Sequence, residues 1–116
     1  MQRDPRAFLW DALSAAEAIR GFVQGRDARQ YAADELLHSA VERKFEIIGE
    51  ALGQLAKLDA GLAAQVPRLG QIVAFRNLLI HGYAVVNHET VWNVVQDALP
   101  ELVVMLRRLL GEGDGT

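Results

Sequence analysis

Residues 37–55, LHSAVERKFEIIGEALGQL, place apolar side chains at Leu37, Val41, Phe45, Ile48, Leu52 and Leu55. Steps of three and four residues return to one face of an α-helix, so this stretch predicts the longest helix of the chain, with that face buried. Gly49 and Gly53 lie four apart within it. Each costs about 1 kcal/mol relative to alanine in a helix, a loss that close approach of another helix, in the same chain or a second subunit, would explain. Glu42, Glu46 and Glu50 also recur every four positions. They read as a solvated face rather than metal ligands, because carboxylate metal centres in helical bundles draw on several helices and a Glu-x-x-His pair that this sequence lacks.

Working outward, Asp27-Ala28-Arg29-Gln30 has the form of a capping box, and Asp34 offers a second helix start. Residues 28–34 are therefore a separate turn or a kinked lead-in. Further upstream, Asp4-Pro5 is a helix-start signal, and Leu9, Ala12, Ala16, Ile19 and Val23 form a stripe that Phe8 and Phe22 widen. A first helix over about residues 5–24 follows, stopped by Gly25. Downstream, Gly61 and Pro67 break the pattern between Lys57 and Arg68, leaving a connection with a short helical piece near Leu62-Ala63-Ala64. Leu69, Ile72, Val73 and Ile80 mark a third core helix, which Gly82 would end in a left-handed conformation. Asn87 caps a fourth, with a seam at Val91, Val95, Ala98, Leu102, Met105 and Leu109 that predicts a kink, not a restart, at Pro100.

No strand alternation competes with these periods, so the predicted fold is all-α, an up-and-down bundle of four main helices with room for an extra short one. It occupies residues 1–110, with 111–116 (GEGDGT) as a flexible tail. A chain of 116 residues, 51% of them hydrophobic, suits one domain with one core. Cysteine is absent, which removes disulfides and thiolate metal sites. Neither a signal-peptide core nor a run of ~20 apolar residues occurs, so a cytoplasmic protein without membrane contact is expected. The net charge of −3 is the wrong sign for coating nucleic acid, so any RNA contact must be local. The basic pairs Arg26/Arg29, Arg43/Lys44 and Arg107/Arg108 read as solvated helix faces.

Chemistry concentrates in Arg76-Asn77-Leu78-Leu79-Ile80-His81-Gly82-Tyr83. RNA cleavage by its own 2′-hydroxyl needs a base, an acid and positive charge at phosphorus. An imidazole such as that of His81 can take or give a proton and Arg76 can grip two phosphate oxygens, so neither metal nor cofactor is required. In a regular helix Arg76 and His81 diverge by roughly 140°. They converge if the chain turns at His81 or Gly82 and the arginine stem reaches sideways, or if a two-fold axis sets two copies face to face. The rival is structural: Arg76 pairs with Glu46 or Glu50, His81 caps carbonyls, and Tyr83 is a half-buried packing residue. His38 and His88 have no obvious partners and read as surface or cap residues, while Trp10 and Trp92 read as core or interface anchors.

The chain resembles the HepT-like branch of the HEPN superfamily, small helical proteins marked by Arg-x4-6-His, filled here as Arg-x4-His-x-Tyr by Arg76, His81 and Tyr83. Arg3-Asp4, Glu46-Ile47-Ile48-Gly49-Glu50-Ala51, Val91-Trp92 and Leu99-Pro100 extend the likeness over residues 3 to 110. Two departures are His38-Ser39-Ala40-Val41, where members often carry Arg-Asp-Ala-Val, and Asn87, where aspartate is frequent. The resemblance implies a metal-independent endoribonuclease toxin, working as a homodimer on RNA, with tRNA among the candidate substrates. It implies Arg76 and His81 as catalytic residues and Asn77 in support. It also implies an MntA-type minimal nucleotidyltransferase antitoxin that adenylylates Tyr83. The alternative is a non-catalytic helical subunit that binds nucleotide or serves a nucleotidyltransferase as adaptor.

Overall fold

A computed structural model describes residues 3–82 and 86–111; Tyr83 and residues 112–116 of the expected tail lie outside them. Within these residues all the regular secondary structure is helical: α1 (Pro5–Val23), α2 (Ala28–Ala33), α3 (Glu35–Leu58), α4 (Ala60–Ala63), α5 (Leu69–His81), α6 (His88–Asp97) and α7 (Leu99–Leu109). None of these helices is long and apolar enough to cross a membrane.

The caps follow the chemistry of the sequence. Asp4 accepts from the Arg6 amide at 2.9 Å with Pro5 in the first turn of α1, and Gly25 takes φ +77° just after that helix ends. Asp27 and Gln30 form the reciprocal capping box of α2, each side chain accepting from the other's amide at 2.8 and 2.9 Å. Asp34 both ends α2 and caps α3, accepting from the Leu37 amide at 3.0 Å. Residues 28–33 are therefore a separate short helix.

The Leu37 amide, assisted by Arg26, holds the Asp34 carboxyl below the usual carboxylate range despite an opposing desolvation cost. A depressed folded pKa adds stability that is present above the unfolded value and lost as pH falls through the folded one. Asp34→Asn keeps an acceptor and loses the charge. Its stability deficit should therefore be seen at pH 7 and vanish in strong acid, as read by urea midpoints across pH.

The core is built around α3. Its predicted face, Leu37, Val41, Phe45, Ile48, Leu52 and Leu55, is buried throughout, as are Leu9, Ala12, Ala16, Ile19 and Val23 of α1. Helix α1 packs along one flank of α3 and α5 along another, while α7 returns to α1. Arg6 donates to the Leu110 carbonyl at 2.9 Å and Arg107 pairs with Glu17 at 2.7 Å, fastening α1 to the end of α7.

Three expectations are corrected. Gly82 ends α5 at φ −116°, not left-handed; its amide still donates to the Leu78 carbonyl at 2.7 Å, so the last turn closes without a left-handed residue. At Pro100 the helix restarts instead of kinking. Ala98 separates α6 from α7 and proline sits in the first turn of α7, where its missing N–H leaves no donor unpaired. The buried seam after the break reads Leu99, Leu102, Val103, Leu106 and Leu110, so the predicted Met105 and Leu109 lie beside it. A separate α7 is free to turn a different face to α1. Third, α5 is a core helix only in part. Leu79 is its one buried residue, whereas Leu78 and Ile80 are 41% and 36% exposed, because among the described residues α3 is the one helix that packs extensively against α5.

Candidate functional site

Glycine at 49 decides where Arg76 sits. A methyl group there would collide with Cβ and Cγ of Arg76 and press on the Ile72 carbonyl oxygen at 3.4 Å, so α5 lies against bare α3 backbone. Gly53 faces Val73 at an ordinary 3.9 Å, and this pairing with Gly49 opposite Arg76 makes the two helices antiparallel. The close approach expected of these glycines is thus made within one chain, and Gly49 carries it.

From that slot the Arg76 side chain runs to the surface of α3. One terminal nitrogen donates to Glu50 Oε2 at 2.8 Å and the other to the Asn77 Oδ1 at 3.0 Å. Nε is buried with no partner. The Arg76 and Glu50 side chains are 28% and 54% exposed, so their ion pair adds little stability against water and salt. Its consequence is orientation: the head is held at a solvent-open groove between α3 and α5 lined by Gly49, Gly53, Gly70, Glu50 and Asn77. Each terminal nitrogen keeps an N–H for an incoming anion.

His81 is the last residue of α5 and is exposed. Since the helix is unbroken from Arg76 to His81, the two residues are separated by roughly 140° of rotation and about 7.5 Å of rise. The sideways reach of the arginine is not taken, because its head is bound to Glu50 and Asn77. One chain therefore brings together Arg76, Asn77 and Glu50, and leaves His81 at a helix end. Among the described residues no hydrogen bond engages the His81 ring, so the expected capping of carbonyls is not seen there.

The other acidic and aromatic expectations divide. Glu46 pairs with Arg43 at 3.2 Å as a surface pair. Trp10 is 45% exposed on α1, while Trp92 packs against Tyr31 with ring centroids 5.4 Å apart. Glu42 is not merely a solvated side chain, and His38 and His88 are not simple surface or cap residues. The two imidazoles stack at 3.9 Å and both face Glu42, because packing of α6 near α2 and α3 joins positions fifty residues apart.

Comparison with known proteins identifies the family of the chain. The family model described as "Ribonuclease HepT-like" matches residues 12–109. "Putative RNase MJ0127" of Methanocaldococcus jannaschii is 30% identical over 98% of this chain and 93% of its own length. "Putative RNase TTE0752" of Caldanaerobacter subterraneus subsp. tengcongensis is 32% identical over 93% of this chain and 96% of its own. "Probable ribonuclease HepT" of Thermococcus cleftensis is 29% identical over 88% and 92%. No solved structure gives a significant match. With a family model covering most of its length, the chain belongs to the HepT-like ribonuclease family.

Proposed function

We propose that this protein is a metal-independent endoribonuclease acting as a homodimer, the toxin of a toxin–antitoxin pair. The observation that carries the reading is the C-terminal half of α5. There Arg76, packed against α3 and aimed by Glu50 and Asn77 at an open groove, is followed about one and a half turns later by an exposed His81, and the intervening Leu78 and Ile80 expose apolar surface on different sides of the helix. A two-fold axis beside this helix end covers part of that apolar surface and brings the His81 of one copy toward the Arg76 of the other, which a single helix cannot do.

In that cleft one His81 takes the proton of the ribose 2′-hydroxyl as its oxygen bonds to phosphorus. The second His81 protonates the departing 5′-oxygen as its bond to phosphorus breaks. Arg76 neutralises the charge gathering on the non-bridging oxygens. The products are a 2′,3′-cyclic phosphate and a 5′-hydroxyl. Asn77 and Glu50 are positioning residues that hold the guanidinium.

Tyr83 is the regulatory position in this proposal. A partner nucleotidyltransferase joins the Tyr83 phenolic oxygen to the α-phosphorus of ATP and releases pyrophosphate, adding bulk and negative charge two residues along the chain from His81. Incubation with such a transferase and ATP should add AMP to the peptide containing Tyr83 and to no peptide of Tyr83→Phe, as read by mass spectrometry. Labelling that persists in Tyr83→Phe places the modification elsewhere.

The net charge of −3 favours a second reading, a non-catalytic adaptor for a nucleotidyltransferase. Production of the chain without its partner separates them: a nuclease arrests growth, an adaptor is harmless.

A further inference from the structure

Away from Arg76 and His81, four polar side chains meet where α2, α3 and α6 pack: Tyr31, His38, Glu42 and His88. Nδ1 of His38 lies 3.6 Å and Nδ1 of His88 lies 3.9 Å from the same Glu42 oxygen. Both separations exceed hydrogen-bond length, yet both nitrogens are buried and neither has a partner. The hydroxyl of Tyr31, a wholly buried residue, is also unpartnered, and burial together with the Glu42 charge keeps its proton on. Three imidazole and carboxylate donor atoms thus lie within 4.8 Å of one another without satisfying each other.

We propose that His38, Glu42 and His88 form a binding site for a divalent transition-metal cation of the zinc class. Two neutral imidazoles and one carboxylate are the donor set such a cation selects, whereas calcium and magnesium favour all-oxygen sites. At metal–ligand distances of about 2.0–2.1 Å, tetrahedral donors lie about 3.4 Å apart, so the stacked rings splay and a pair at the 4.8 Å limit closes by about 1.4 Å. Water fills the fourth position. His38 and Glu42 stand one turn apart on α3, and His88 is the first residue of α6. A bound cation therefore pins the start of α6, the helix that follows the Arg76–His81 segment, onto α3. This His-x3-Glu pair plus a remote histidine is invisible to a search for Glu-x-x-His. The cation is structural and takes no part in RNA cleavage, so chelator-resistant cleavage and metal binding are separate results.

The test uses untagged full-length protein, stripped with EDTA, returned to metal-free buffer and titrated with zinc chloride or cobalt chloride. Expected are one saturable equivalent per chain, a raised melting temperature, and visible cobalt bands of four-coordinate intensity. His38→Gln, Glu42→Gln and His88→Gln should each weaken binding by at least about tenfold, while His81→Ala binds like the parent. Circular dichroism checks that each variant is folded, and the partly exposed His88 carries the test if a change at His38 disturbs α3. Absence of saturable binding overturns the proposal. So does binding unchanged in folded His88→Gln, or binding lost in His81→Ala.

Discussion

His81→Ala should slow RNA cleavage by about 10²–10⁴-fold, the range expected when a positioned proton-transfer group is removed. Arg76→Ala costs about 10²–10³-fold, as loss of a donor aimed at developing charge does. Neither change should unfold the protein. His81 is exposed, and the Arg76 ion pair lies in water-accessible surroundings where it stabilises little. Single-turnover cleavage of a defined RNA, with melting curves of the same preparations, separates lost chemistry from lost fold. Variants that cut at the parental rate would remove these residues from the catalytic role.

Gly49→Ala destabilises the domain by about 1–3 kcal/mol, the cost of overpacking a close contact. Helix propensity alone gives the opposite sign, about 1 kcal/mol in favour of alanine. The contact decides, because the new methyl meets Cβ and Cγ of Arg76, atoms next to the α5 backbone, and not the far end of a flexible chain. Relief requires α5 to move off α3, carrying Arg76 away from Glu50. The variant should therefore melt lower and also cleave more slowly at temperatures where it remains folded. Gly53→Ala is the control: Val73 is at 3.9 Å, an ordinary contact, and stability should hold or rise. Equal behaviour of the two variants would contradict the slot assigned to Gly49.

Much of the fold was legible because α1 and α3 bury one face each, and a one-sided pattern repeats every three or four residues. Leu9 to Val23 and Leu37 to Leu55 appear in the core as their spacing requires. Caps were legible for a related reason: Asp4, Asp27, Asp34 and Asn87 act on amides two or three residues away. Helix α5 was harder to read. Its apolar residues are not all inward, since Leu78 and Ile80 are exposed, and sequence periodicity does not distinguish a buried apolar face from an exposed one. At Pro100 a kink and a restart differ only in local backbone geometry around Ala98.

The site divides along the same line. Arg76 and His81 were singled out by their chemistry and their place at a helix end, and Asn77 by the resemblance. The choice of Glu50 over Glu46 as the arginine's partner depended on the register of α5 against α3, which Gly49 sets. His38, Glu42 and His88 were passed over because their meeting depends on contact between helices fifty residues apart. Local signals carried local structure; register and long-range pairing came from packing.

The central claim is that this helix end promotes attack by the RNA's own 2′-hydroxyl, and end-group chemistry tests it most directly. RNA cut by the purified protein in EDTA should carry 2′,3′-cyclic phosphate and 5′-hydroxyl ends, and a single 2′-deoxy substitution at the scissile nucleotide should abolish cutting there. Products with 5′-phosphate ends, or cleavage that continues past the deoxy substitution, would contradict it.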